Sequence, residues 1–130
     1  MAALSDYAEK LLLDFLMTTG TATRPTNWYV ALFTSATNDA GGGTEVSAGG
    51  YARQSVSFSA ASSPGGTTSN SGEVSFTASG GDYGTVTHMG IFDASSSGNL
   101  LWHGALTASK TVADGDTLTF AVGNIDLTMA

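Results

Sequence analysis

Residues Gln54–Ser59 read QSVSFS, with Gln54, Val56 and Phe58 on one parity and Ser55, Ser57 and Ser59 on the other. Side chains of an extended strand point alternately to opposite faces, so the stretch predicts a half-buried strand with a serine face toward water. The pattern returns at Glu73–Thr77, with Val74 and Phe76 inward, and at Thr117–Val122, with Leu118, Phe120 and Val122 inward. Ile125, Leu127 and Met129 close the chain on alternate positions. Trp28–Thr34 (WYVALFT) is apolar on both parities, which predicts a central or doubly covered strand. Thr85–Phe92 and Leu100–Leu106 are longer runs, separated by the hairpin-loop residues Asp93–Asn99. Val112 is expected in a further short strand. Seven or eight short strands with turn chemistry between them predict a mainly β chain, an antiparallel β-sandwich or jelly-roll-like domain, or a small barrel. There is no room for the crossover helices of a parallel sheet.

One helix precedes the strands, over residues 5–18. Leu4, Ala8, Leu11, Leu12, Phe15 and Leu16 recur at steps of three and four, and so share a face. Ser5 or Asp6 is expected to cap it, and Asp6 stands four residues before Lys10, the favourable order for an ion pair. Thr18-Thr19-Gly20 is expected to end it, with Gly20 able to take the left-handed C-cap conformation. Residues 1–20 therefore form an N-terminal helical element and 21–130 a β-sandwich domain. Two long Gly-rich loops, Ser35–Gly50 and Ala60–Gly72, look mobile.

Composition narrows the function. Of 130 residues, 42% are hydrophobic, enough for a core, and no cysteine is present, which removes disulfides, thiol nucleophiles and Cys-ligated metals. Only 12% are charged, about half the usual share. Gly, Ser and Thr together number 51 and supply the polar surface instead. Four bases (Lys10, Arg24, Arg53, Lys110) stand against 11 acids, a net charge of −7. That balance argues against nucleic acid and against anionic membranes. No run approaches the ~18 apolar residues of a membrane span. The apolar run Leu11–Met17 is too short and too late for a signal peptide, so folding in a cytoplasm is expected.

Catalytic patterns are weak. His88 and His103 lie on the two arms of the predicted hairpin, and loop parity decides whether they share a face. Two imidazoles fall short of a zinc site, so a structural hydrogen-bonding role is expected for both. Asp114-Gly115-Asp116 lacks the spacing of a calcium loop and reads as a turn, as do Asp82 and Asp93. No serine sits in G-x-S-x-G, and no glycine cluster precedes a helix. The chain is therefore read as no enzyme, with no cofactor and no metal. Trp28, Tyr29 and Phe33 offer stacking platforms for sugar or nucleic acid, but an aromatic strand of this kind is more often core or a subunit interface, which is the favoured expectation. The helix stripe is wider than one sheet requires; it either packs on the sandwich or pairs with copies of itself.

The segments LSDYAEKLLLDFLM, WYVALFTSATNDAGGGTEVSAGGYARQSVSF, GTVTHMGIFDASSSGNLLWHGALT and KTVADGDTLTFAVGNIDLT resemble, in order, a family of short virion proteins of tailed bacteriophages. These are labelled tail-fibre proteins, and some are regarded as head-decoration or cement proteins. The resemblance runs from about Leu4 to Thr128, and GGYARQ (Gly49–Gln54), GIFDA (Gly90–Ala94) and GALT (Gly104–Thr107) carry it most specifically. It transfers no active-site residue. It implies a structural role and self-association on the surface of a virion assembled in the bacterial cytoplasm. The favoured expectation is a capsid decoration protein, trimeric, bound to the major capsid protein. The alternative is a short tail-fibre or fibre-adaptor protein bound to other tail proteins. Leu11, Leu12, Phe15, Leu16, Trp28 and Tyr29 are the expected oligomer or capsid interface.

Overall fold

Burial alternates along Val74–Thr77 and Thr117–Phe120 as the sequence predicts: Val74, Phe76 and Leu118 are buried, while Ser75, Thr77, Thr117 and Thr119 face outward. The two strands pair antiparallel, and their outward hydroxyls join across the ladder, Ser75 to Thr119 at 3.1 Å and Thr77 to Thr117 at 3.0 Å. Cross-strand pairs of this kind let Ser and Thr stand where charged residues usually do. A computed structural model of the chain describes residues 2–129. Met1 and Ala130, the outer ends of the two expected domain ranges, lie outside the described residues.

Nine strands and one helix are described: β1 (Ala2–Leu4), α1 (Asp6–Met17), β2 (Tyr29–Phe33), β3 (Gln54–Ser55), β4 (Thr67–Ser69), β5 (Val74–Thr77), β6 (Gly84–Phe92), β7 (Leu100–Val112), β8 (Thr117–Phe120) and β9 (Asp126–Thr128). All pairings are antiparallel. A five-stranded sheet runs in the order β1-β7-β6-β2-β3, and two-stranded sheets β4-β9 and β5-β8 complete a sandwich-like, mainly β fold. One face of the large sheet presents Val30, Leu32, Met89 and Ile91 to Val74, Phe76, Leu118, Ile125 and Leu127. The other face carries Ala31, Phe33, Leu100 and His103, all buried, so β2 is covered on both sides as expected.

Several expectations are corrected. Two strands escaped the sequence reading, giving nine instead of seven or eight. Leu4, expected on the helix stripe, pairs with Trp102 in β1. The chain turns at Ser5, whose extended backbone (φ −81°, ψ 161°) caps α1 by accepting from the Ala8 N–H. β4 lies inside the stretch expected to be a mobile loop. Its neighbour Asn70 is buried, with side-chain bonds to the Gly72 and Ala121 carbonyls and from the Ile125 N–H. Asn70→Ala leaves three backbone groups unpaired and is expected to cost about 1–3 kcal/mol, read from urea unfolding midpoints.

The helix stops at the expected Thr18-Thr19-Gly20, but Gly20 is not among the glycines at positive φ. Thr18, extended at φ −126°, is the C-cap, and its hydroxyl donates to the Asp14 carbonyl. Lys10 pairs with Asp14, not with Asp6. Val122 is 62% exposed because the chain turns at Gly123 (φ +84°) before β9 begins. Val112 ends β7 instead of forming a strand of its own. The ladder at Gln54–Ser59 is confined to Gln54 and Ser55 plus a bridge at Phe58, although burial still alternates. Asp114-Gly115 is a turn, with Gly115 at φ +91°, but it carries the chain from one sheet to the other instead of closing a hairpin.

Strand β7 is irregular in two places. Ile91 pairs with Trp102 while Phe92 pairs with Leu100, leaving Leu101 without an opposite number. An odd-length loop predicts His88 and His103 on opposite faces. This one-residue bulge restores them to one face, since Gly90 opposes His103 and His88 opposes Ala105. Between His88 and Val86 the partners jump from Ala105 to Lys110, so residues 106–109 bulge out of the ladder.

Candidate assembly site

Helix α1 is anchored at its start only. The Ser5 hydroxyl donates to the Leu100 carbonyl, the Ser5 N–H donates to Leu101 at 2.9 Å, and the Asp6 N–H donates to the Asp39 carbonyl at 3.0 Å. Ala8 is the one buried helix residue, at 5% exposure. Leu12 and Phe15 continue its face at i+4 and i+7. Burial falls along that line: Leu12 is half-buried and Phe15 is 68% exposed. Leu13, Leu16 and Met17 are exposed as well. The second half of the helix therefore overhangs the sheet with its apolar stripe uncovered.

Of the other expected interface residues, Leu11 is half-buried on α1. Trp28 is half-buried against the central core, and Tyr29 is half-buried at the start of β2, opposite Phe92 and Ser55. The helix packs on β7 and β1, so Trp28 and Tyr29 belong to a different part of the surface from the stripe.

Two side-chain clusters brace the loops on this face of the sheet, the first of them beside the helix start. His103, buried in β7, meets the Thr37 hydroxyl through Nδ1 at 2.9 Å and the Asp39 carboxylate through Nε2 at 2.8 Å. It ties loop 35–41 down beside the helix start, the structural role expected for it. Arg53 forms the second cluster. Its Nε and Nη2 donate to the two Glu45 carboxylate oxygens, each at 2.9 Å, and its Nη1 donates to the Ala94 and Ser97 carbonyls. The guanidinium lies 3.7 Å from the centroid of the Phe92 ring, which stacks on Phe33. Tyr51, two residues before Arg53 and so on the same side of the extended chain, donates to Glu45 at 2.7 Å and accepts from the Leu32 N–H. Burial pushes the Glu45 carboxyl up, but the hydrogen bonds from Arg53 and Tyr51 and the guanidinium charge outweigh it and hold the group below its ordinary value. For Tyr51, burial and the Glu45 hydrogen bond act together and push the phenol well up.

Backbone geometry makes the Arg53 cluster possible. Gly49 and Gly50 both sit at φ +67°, and a Cβ on Gly49 would lie 2.6 Å from the Gly81 carbonyl oxygen. Gly90 leaves space that Leu100 and Phe33 fill; a Cβ there would be 2.9 Å from Leu100. GGYARQ and GIFDA, far apart in sequence, thus meet in one structural lock. That lock was not read from the sequence, because Glu45, Arg53 and Ala94 share no local periodicity.

No cluster of three or more potential metal ligands occurs among the described residues, and no described helix is long and apolar enough to cross a membrane. A family model described as Podophage GP4 fiber I protein gp80 matches residues 3–128. The chain belongs to this family. A comparison with curated proteins gave no match. The gp80 fibre family is a structural phage-fibre class, so the chain is a fibre-type virion protein. Its matched span takes in the helix, both bracing clusters and all the strands except Ala2 at the start of β1.

Proposed function

We propose that the chain is a structural, non-catalytic component of a phage fibre that works by associating with copies of itself through the overhanging half of α1. The fall in burial along one helical face, from 5% at Ala8 to 68% at Phe15, carries this reading. An isolated chain gains nothing by holding Leu13, Phe15, Leu16 and Met17 in water, whereas a neighbouring subunit removes that apolar area from solvent. The description of the family supports placement at the fibre. In that placement its neighbours would be other tail proteins.

A second placement is a trimeric capsid decoration protein that ties neighbouring copies of the major capsid protein together. Its support is the lack of an internal repeat in these residues, since a fibre shaft draws its length from repeated units. Both placements use the same helix and both put the protein on the virion surface.

The double variant Leu12→Asp, Phe15→Asp tests the helix. Sedimentation is expected to show loss of self-association, with the far-ultraviolet β signal unchanged and incorporation into virions abolished. Unfolding of the whole chain would instead make the helix part of the core. Imaging of intact particles then separates the placements: a handful of copies at the tail supports the fibre, hundreds on the head support decoration.

A further inference from the structure

An open groove of about 610 Å³ runs between the β7 edge of the large sheet and the β8–β9 side of the sandwich. Met89, Leu106, Leu118, Phe120 and Ile125 give it apolar walls, and Lys110 stands on its lining. It starts at Ala2 and Gly104, the last pair of the stretch that β1 covers, and follows β7 to Lys110. Leu106, Thr107 and Ala108 of the bulge line it. We propose that this groove receives the overhanging half of α1 from a second copy of the chain. The inference rests on the self-association reading above and names the surface that completes it.

Three observations select that occupant. The chain's own helix is pinned by Ser5 beside Leu100 and Leu101 and leaves Phe15 and Leu16 each 68% exposed, so it does not fill its own groove. The stripe and the groove are both apolar, and burying one against the other satisfies both. Charge also matches. Lys10 is paired with Asp14 and Arg53 with Glu45, so Lys110 and Arg24 are the two basic side chains without an ion pair among the described residues. Glu9, also without one, borders the stripe three residues before Leu12 and seven before Leu16, where it can meet Lys110. Asp126, also on the groove lining, repels the same carboxylate and so favours one direction of seating.

A helix in a groove is a head-to-tail contact, because the two surfaces differ. Repetition of such a contact closes into a ring when the rotation permits and otherwise winds into a helical filament. Helices that pair with each other give instead a contact that ends at the dimer.

The absence of cysteine makes a direct test available. Leu16→Cys and Thr107→Cys are prepared separately, mixed, and treated with a short bis-maleimide. Cross-linked dimer is expected in the mixture and in neither protein alone. Charge reversal gives a second reading: Lys110→Glu is expected to weaken self-association about tenfold, and adding Glu9→Lys to restore most of it. Both positions are exposed, so folding is retained and is checked by circular dichroism. Cross-linking of Leu16→Cys with itself overturns the proposal in favour of helix pairing. Association that is lost with Leu12→Asp, Phe15→Asp but indifferent to Lys110→Glu, with no cross-link in the mixture, overturns the groove and leaves the self-association reading standing. A protein that is monomeric at every concentration overturns both.

Discussion

Arg53→Ala is expected to be among the most destabilising single substitutions in the chain, at about 3–5 kcal/mol. The Arg53 side chain is 7% exposed and its partner Glu45 28%, so removing the guanidinium leaves a partly buried carboxylate without its counter-ion. It also leaves the Ala94 and Ser97 carbonyls without a donor and uncovers the Phe92 ring. Arg53→Lys keeps the charge but loses the two parallel hydrogen bonds to Glu45 and the flat group over Phe92, so it is expected to recover only part of the loss. Thermal unfolding measures both. The pH dependence follows from Glu45. Its carboxyl is held below the ordinary 4.5, so its contribution is fully present above that value. It is lost as pH falls through the lowered value in the fold. Arg53→Ala should flatten this acid limb, and an unchanged acid limb would argue that other carboxylates dominate it.

Phe76→Ala is the companion in the core. Phe76 is 1% exposed, lies parallel to Tyr51 at a centroid distance of 6.1 Å and meets the edge of Phe120 at 6.4 Å. It therefore links the β5–β8 sheet to the segment that carries Arg53. Truncation removes the ring and leaves a cavity between the layers, at a cost of about 3–5 kcal/mol, or a fall in Tm of roughly 10–20 °C for a chain of this size. Such a loss is a large part of the stability of an ordinary domain. Since Tyr51 also holds Glu45, Phe76→Ala and Arg53→Ala are expected to combine non-additively in a double-mutant cycle. Strict additivity would mean that the core and the lock act independently.

Alternation and amphipathic spacing made the strands of the sandwich and the helix readable in the sequence. Val74, Phe76 and Leu118 repeat at two residues, Ala8, Leu12 and Phe15 at a helical step, and each period has one physical cause. What escaped has no period. Ala2–Leu4 is too short to alternate, and Leu4 fits the helix stripe equally well until the Ser5 bond to β7 decides between them. Thr67–Ser69 is polar throughout and becomes a strand only because β9 lies beside it. The half-burial of Leu11 and Leu12 and the exposure of Phe15 and Leu16 depend on where the sheet ends beneath the helix, which composition does not encode. Arg53 and Glu45 find each other through the turn at Gly49 and Gly50. GGYARQ and GIFDA carry the resemblance most specifically, and the structure gives them a physical reason that no local period shows.

The four-residue bulge in β7 has a last consequence, for solubility. Beyond Gly104 the strand has no neighbour on its outer side among the described strands, and a straight strand in that position is a template on which a foreign strand can grow a sheet. Residues 106–109 break the regular row of donors and acceptors, and Lys110 puts a charge at the place where pairing would resume. The edge is therefore expected to resist strand addition, while contacts made through side chains remain open to it. If the chain associates as proposed above, that discrimination matters: it would join its neighbours in one manner and refuse the commonest wrong one.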